Sequence, residues 1–144
     1  TGTNYMHHNL TCTLGGSVSS GSHTGGTAYT PERAAVSIDN GVQPLFRNSQ
    51  VATDVTAGDR VVMVTLVLPY TSTEHGLYAM TTIAGSLVYT ISGVSFSMVF
   101  PALKPMIVTP LPPGGNGELL LEITYQAYRS GTENEIQVTN DSTP

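Results

Sequence analysis

The stretch "GELLLEITYQAYRSGTENEIQVTN", residues 117–140, decides the fold class. In an extended chain Leu119, Leu121, Ile123, Tyr125 and Ala127 share one face, while Leu120, Glu122, Thr124, Gln126 and Tyr128 share the other. Such a strand has one dry side. Arg129-Ser130-Gly131-Thr132 follows, with glycine where a tight reversal needs positive φ, and Ile136 and Val138 then resume the alternation. The spacing predicts a closing hairpin.

Working outward, "DRVVMVTLVLPY" (59–70) carries β-branched and apolar residues on both faces, as a strand covered on two sides does, and Pro69 closes it. "SLVYTISGVSFSMVF" (86–100) sets Val94, Phe96, Met98 and Phe100 against Ser95, Ser97 and Val99 and predicts one or two strands. "PALKPMIVTPLPPGGNG" (101–117) predicts a brief strand around Met106 to Thr109 and then a proline-glycine turn. "YTPERAAVSIDNGVQPLF" (29–46) alternates at Val36 and Ile38 and reads as an irregular strand broken near Asn40-Gly41, with Pro44 at an edge, a bulge or a strand end. Residues 47–58, RNSQVATDVTAG, have weak periodicity and predict a long exposed loop. In "TSTEHGLYAMTTIAG" (71–85), Ser and Thr precede Glu74, and Leu77, Met80 and Ile83 follow at roughly helical spacing, which predicts one short helix.

Near the start, the apolar-tinged Asn9 to Leu14 precedes GGSVSSGSHTGGT (15–27), a flexible tether by composition. The expected organisation is a strand fragment with its tether over 1–30 and a mainly β domain over 31–144: an antiparallel β-sandwich or partial barrel with one short flanking α-helix.

The totals narrow the function. A chain of 144 residues suffices for one core, and two domains would leave each half short of buried surface. With 40% hydrophobic but only 10% charged residues, the surface must be covered by Ser, Thr, Asn, Gln and Gly, which suits packing against copies of itself. A net charge of -5 with five dispersed Lys and Arg argues against gripping phosphates. One cysteine, Cys12, excludes an internal disulfide. The longest apolar run, Val61 to Leu68, falls well short of the ~20 residues that span a bilayer, so no membrane partner is expected. The chain opens at Thr1 with no charged-then-apolar leader and reads as a fragment or a processed product.

Chemistry is scarce. His7 and His8 are adjacent and point opposite ways in an extended segment, and His23 and His75 lie far off, so no metal set is expected. Glu118 and Glu122 share a strand face but read as turn and solvated sheet positions rather than a glycosidase pair. No G-x-S-x-G turn supports a hydrolase triad, and PPGGNGE (112–118) lacks the Lys and Ser/Thr of a phosphate loop. Asn9-Leu10-Thr11 and Asn140-Asp141-Ser142 fit the glycosylation pattern, but 33 Ser and Thr make chance matches ordinary. No catalytic residue, metal or cofactor is assigned.

The order of the remaining features is more telling. "VSIDNGVQPLF" (36–46), a loop, "DVTAGDRVVMVTLVL" (54–68), "LYAMT" (77–81), "VSFSMVFPALKPM" (94–106) and "GNGELLLEITYQAYRSGTENEIQVTN" (115–140) together resemble the tail tube proteins of long-tailed bacteriophages over about residues 30 to 140. That resemblance implies a non-enzymatic virion protein, assembled in the host cytoplasm with other tail proteins. Six copies would close into a ring, and stacked rings would form a conduit for DNA that passes without tight binding. By similarity, the strands at 36–46 and 59–68 contribute to the inner barrel, and the loop with Arg47, Asn48, Gln50 and Asp54 reaches the adjacent ring. Asp39 and Asp59 are lumen candidates, and carboxylates on a solvated outer face are the competing reading. The rival function is a capsid-decoration or adhesin-type β-sandwich whose tyrosines and polar loops bind another surface; a small hydrolase is a third.

Overall fold

A computed structural model of the chain describes residues 9–45, 51, 54–56, 58–72, 74–79, 81–112 and 117–141. Twelve strands are described: β1 (Leu10–Leu14), β2 (Ser17–Ser19), β3 (Ser22–Thr24), β4 (Thr27–Tyr29), β5 (Arg33–Asp39), β6 (Gln43–Leu45), β7 (Asp54–Thr56), β8 (Val61–Pro69), β9 (Ile83–Ile91), β10 (Val94–Leu111), β11 (Leu120–Tyr128) and β12 (Gln137–Asp141). Eight of them form one antiparallel sheet in the order β4-β1-β9-β10-β11-β8-β5, with β12 added beside β10. Only Thr30-Pro31-Glu32 separates β4 from β5, so the two ends of that order are contiguous in the chain, and the sheet curls round its core. One cluster accordingly joins Cys12 and Leu14 of β1 to Val62, Val64, Leu66 and Leu68 of β8, with Phe100, Leu103, Leu121, Ile123 and Tyr125 between them. The mainly β, antiparallel expectation holds.

The alternation in β11 is as read: Leu121, Ile123, Tyr125 and Ala127 are buried. The hairpin is not. β11 pairs with the second half of β10 (Ala102↔Tyr128 to Leu111↔Leu120), while β12 pairs with its first half (Ser95↔Asp141 to Val99↔Gln137). β12 therefore continues the line of β11 along the same edge of β10. Residues 129–136 are an excursion, closed by a bridge between Ser130 and Glu133 with Gly131 at φ 59. A turn signal specifies a local reversal; which free edge the chain rejoins is settled by non-local pairing.

β10 joins the end of the 86–100 stretch to the brief strand expected around Met106 to Thr109 as one strand of 18 residues. Two of its three prolines are accommodated at irregularities: Pro101 lies where the register with β9 shifts between Phe100 and Leu103, and Pro105 where the register with β11 shifts before Ile107. At such bulges the missing N–H costs no ladder bond. β9 and β10 meet through Ser92 (φ 50) and Gly93 (φ 85), a two-residue turn with both centres left-handed. β8 is dry mainly on one face, through Val62, Val64, Leu66 and Leu68; Val67 is the buried residue of its other face.

The short helix is a correction in kind. Glu74–Ala79 is a 3-10 helix, and among the described residues there is no α-helix. At its start the Glu74 carboxylate reaches back and accepts from the Thr71 N–H at 3.1 Å and from the Thr71 hydroxyl. Gly76 inside it and β-branched Thr81, Thr82 and Ile83 after it favour ending within two turns, and Ile83 already begins β9.

The stretch expected to be a tether holds β2, β3 and the first residue of β4. β2 and β3 form a hairpin lying against β9 and β10, and the boundary at 30/31 falls between strands of one sheet. Glycine here does structural rather than flexible work: Gly16 (φ 73) has its Cα where a Cβ would collide with the Thr24 carbonyl. The hairpin is clamped at its tip, where Ser20 and Gly21 donate their N–H groups to the Glu133 carboxylate at 2.8 and 3.2 Å. At its base, His23 Nε2 donates to the Gly15 carbonyl at 2.7 Å, which leaves Nδ1 to accept from the Ser86 hydroxyl at 2.9 Å.

Candidate assembly surface

Strands β5, β8, β11 and the second half of β10 lie side by side, and pairing fixes which side chains share their outer face. Rows run across it as Arg33, Val67, Glu122, Thr109; then Ala35, Thr65, Thr124, Ile107; then Ser37, Met63, Gln126, Lys104. Arg33 and Glu122, on either side of β8, form an ion pair at 3.1 Å that passes over Val67 and accounts for its burial. Asp39 ends the β5 side of this face. Positive Arg33 and Lys104 thus balance negative Asp39 and Glu122 on an otherwise uncharged surface. The glycosidase-like pairing of Glu118 with Glu122 dissolves: Glu122 is engaged by Arg33, and Glu118 is exposed.

Asp39 and Asp59 flank one close approach of the backbone. Asp39 Oδ1 accepts from the Gly41 N–H at 2.9 Å, and Gly41 packs so tightly on Gly58 that a Cβ on Gly58 would lie 2.6 Å from the Gly41 carbonyl oxygen. This glycine neck lets the β5/β8 ladder carry on outward, from Asp39↔Val61 to Gln43↔Thr56, with the register shifted by one. The expected loop is in that part a two-stranded arm of β6 and β7. Asp54 begins β7, opposite Leu45. Arg47, Asn48 and Gln50 lie outside the described residues.

Beside the neck an open cleft of about 820 Å³ is lined by Asn40, Asp59, Arg60, Tyr128, Arg129 and Glu135, among others. Arg60 donates to Glu135, a bond that holds the Glu135 carboxyl below its ordinary range. The excursion 129–136 therefore grips the β2–β3 hairpin through Glu133 and the foot of β8 through Glu135. Neither glutamate, nor Lys104, carried a signal of its own in the sequence. The clue for Lys104 was its place in a run with proline on both sides of Met106 to Thr109.

His23 and His75 are both used as local hydrogen-bonding groups, His75 Nδ1 lying 2.8 Å from the Tyr70 hydroxyl. Among the described residues no three His, Cys, Asp or Glu side chains gather as a metal set. Cys12 is buried, and burial pushes its thiol up to about 12, away from nucleophilic chemistry. Among the described residues, no helix is long and apolar enough to cross a membrane.

A curled antiparallel sheet whose β5 and second half of β10 carry no further strand on one edge among the described residues is the form of a subunit that meets other copies. The chain belongs to the phage tail tube protein family, whose model matches residues 1–127. It is thus a non-enzymatic structural subunit of the phage tail tube, a component of the virion. No curated protein matches it. The fold is similar to solved structures of the anti-feeding prophage baseplate (TM-score 0.65, 9% identity, 99% of this chain and 100% of that one) and of the anti-feeding prophage cap that terminates its tube (0.64, 12%, 97% and 93%). It is also similar to Hcp protein (0.55, 12%, 91% and 98%). At these identities the likeness is one of fold.

Proposed function

We propose that copies of this chain close into rings of six, that the rings stack into a tube, and that the tube is the conduit through which DNA leaves the capsid. The single observation that carries this reading is the four-stranded face of β5, β8, β11 and β10, balanced in charge and uncovered by any other strand among the described residues. A basic wall would hold phosphates by releasing their counterions, whereas a wall with as many carboxylates as cations lets the duplex slide. Asp39 lies on that wall and Asp59 at its rim. The loop with Arg47, Asn48, Gln50 and Asp54 reaches the neighbouring ring. Other tail proteins cap the stack.

Negative-stain microscopy with sedimentation velocity on concentrated protein tests this. Annuli or stacked filaments are the expected outcome; a population that stays monomeric at every concentration overturns it.

A further inference from the structure

Two lengths of strand edge in the four-stranded layer have no ladder among the described residues. One is the outer edge of β5, whose only sheet partner is β8. The other is Lys104 to Leu111 of β10, because β9 leaves that strand at Ile83 opposite Leu103, and from there β10 pairs only with β11. Unpaired edges of this length invite a further strand.

The layer contains an even number of strands, each antiparallel to the next. The free edges at its two sides therefore run in opposite directions, so β10 of one copy can be followed by β5 of the next with the alternation unbroken. The exposed apolar side chains agree: Ile38 (49% exposed) sits on one edge, and Met106 (46%) and Ile107 (60%) on the other. The prolines set the length of the joint. Pro105 and Pro110 have no N–H to give, so this edge can donate only from the outward-facing alternate residues of Met106 to Thr109, which limits the added ladder to four residues and blocks slippage along the strand.

Charge then selects the register. Lys104 stands at one end of its edge, exposed and with no ion pair among the described residues, on the same face as Asp39 at the far end of β5. Antiparallel pairing with Lys104 opposite Asp39 lets the β10 bulge be absorbed at Pro105-Met106 and lays Ile107 against Ser37 and Thr109 against Ala35. Resting on the ring proposed above, we infer that the joint between copies is β5 of one added to Met106–Thr109 of the next, locked by an Asp39–Lys104 ion pair.

The charge-swap experiment tests it. Lys104→Asp and Asp39→Lys each place like charges at the joint and should raise the concentration needed for annuli by at least about tenfold. The double variant should return within about threefold of the parent. Because Asp39 also caps the turn at Gly41, cross-linking supplies an independent readout: Ser37→Cys with Ile107→Cys should, on oxidation, give covalent multimers that reducing agent dissolves, while buried Cys12 stays unreactive. Parent annuli with no single-variant defect, no rescue in the double variant, or no cross-link would overturn this joint and leave the ring standing. A parent protein that forms no annuli would instead sink the ring itself.

Discussion

Tyr125 is fully buried, and its hydroxyl has no hydrogen-bond partner among the described residues. Burial raises its phenol above the ordinary tyrosine range, with Cys12 and Tyr29 adding smaller contributions of the same sign. A buried hydroxyl without a partner forfeits its bonds to water, a cost of about 1–3 kcal/mol. Tyr125→Phe removes that cost while keeping the ring that fills the core between β8 and β10. The oxygen-sized gap left behind, roughly 15 Å³, costs roughly 0.4 kcal/mol at about 24 cal/mol per Å³. The net expectation is stabilisation by about 1 kcal/mol, a rise in Tm of roughly 3 °C for a chain of this size. Urea unfolding of dilute, unassembled protein reads it as a higher midpoint at unchanged slope. A loss of more than about 0.5 kcal/mol at unchanged slope would refute the reasoning, since it would mean that the hydroxyl is paired in the folded state.

Two further outcomes follow from the same core and the strap across it. Gly16→Ala should destabilise the protein by about 2 kcal/mol, because its left-handed backbone and the Thr24 carbonyl both reject a Cβ; a neutral result in thermal unfolding would return the segment to the status of a tether. The Cys12 thiol keeps its proton in the folded state up to about 12, against the ordinary 9.0. Its contribution is present in full below 9.0 and is lost as pH rises through that window, because the unfolded chain releases the proton first; stability should fall by about 1.4 kcal/mol per pH unit between 9.0 and 10.0, above which the raised phenols of Tyr125 and Tyr29 steepen the loss. Cys12→Ala should flatten the slope between 9.0 and 10.0, and an equal slope in both proteins there would show that other groups carry it.

Local physics accounts for what the residues announced unaided. The two-residue period of β11 marks Leu121, Ile123 and Tyr125 as core whatever their partners, because consecutive side chains on a strand must leave on opposite sides. The break at Asn40-Gly41 and the end of β8 at Pro69 are likewise written in single residues with restricted or permissive backbones. Scarce charge pointed toward packing against like copies, and the lack of a G-x-S-x-G turn or a phosphate loop pointed away from catalysis. Tertiary structure decided the rest, since pairing is a property of two distant segments. It sent β12 to β10 instead of back along β11, carried β10 past Pro101 and Pro105 by bulging it, and folded a glycine-rich stretch into a clamped hairpin. The same non-local choice began β9 opposite Leu103 and left one edge of Lys104 to Leu111 without a ladder among the described residues, and no reading of those eight residues alone could have shown which side of the strand would be bare.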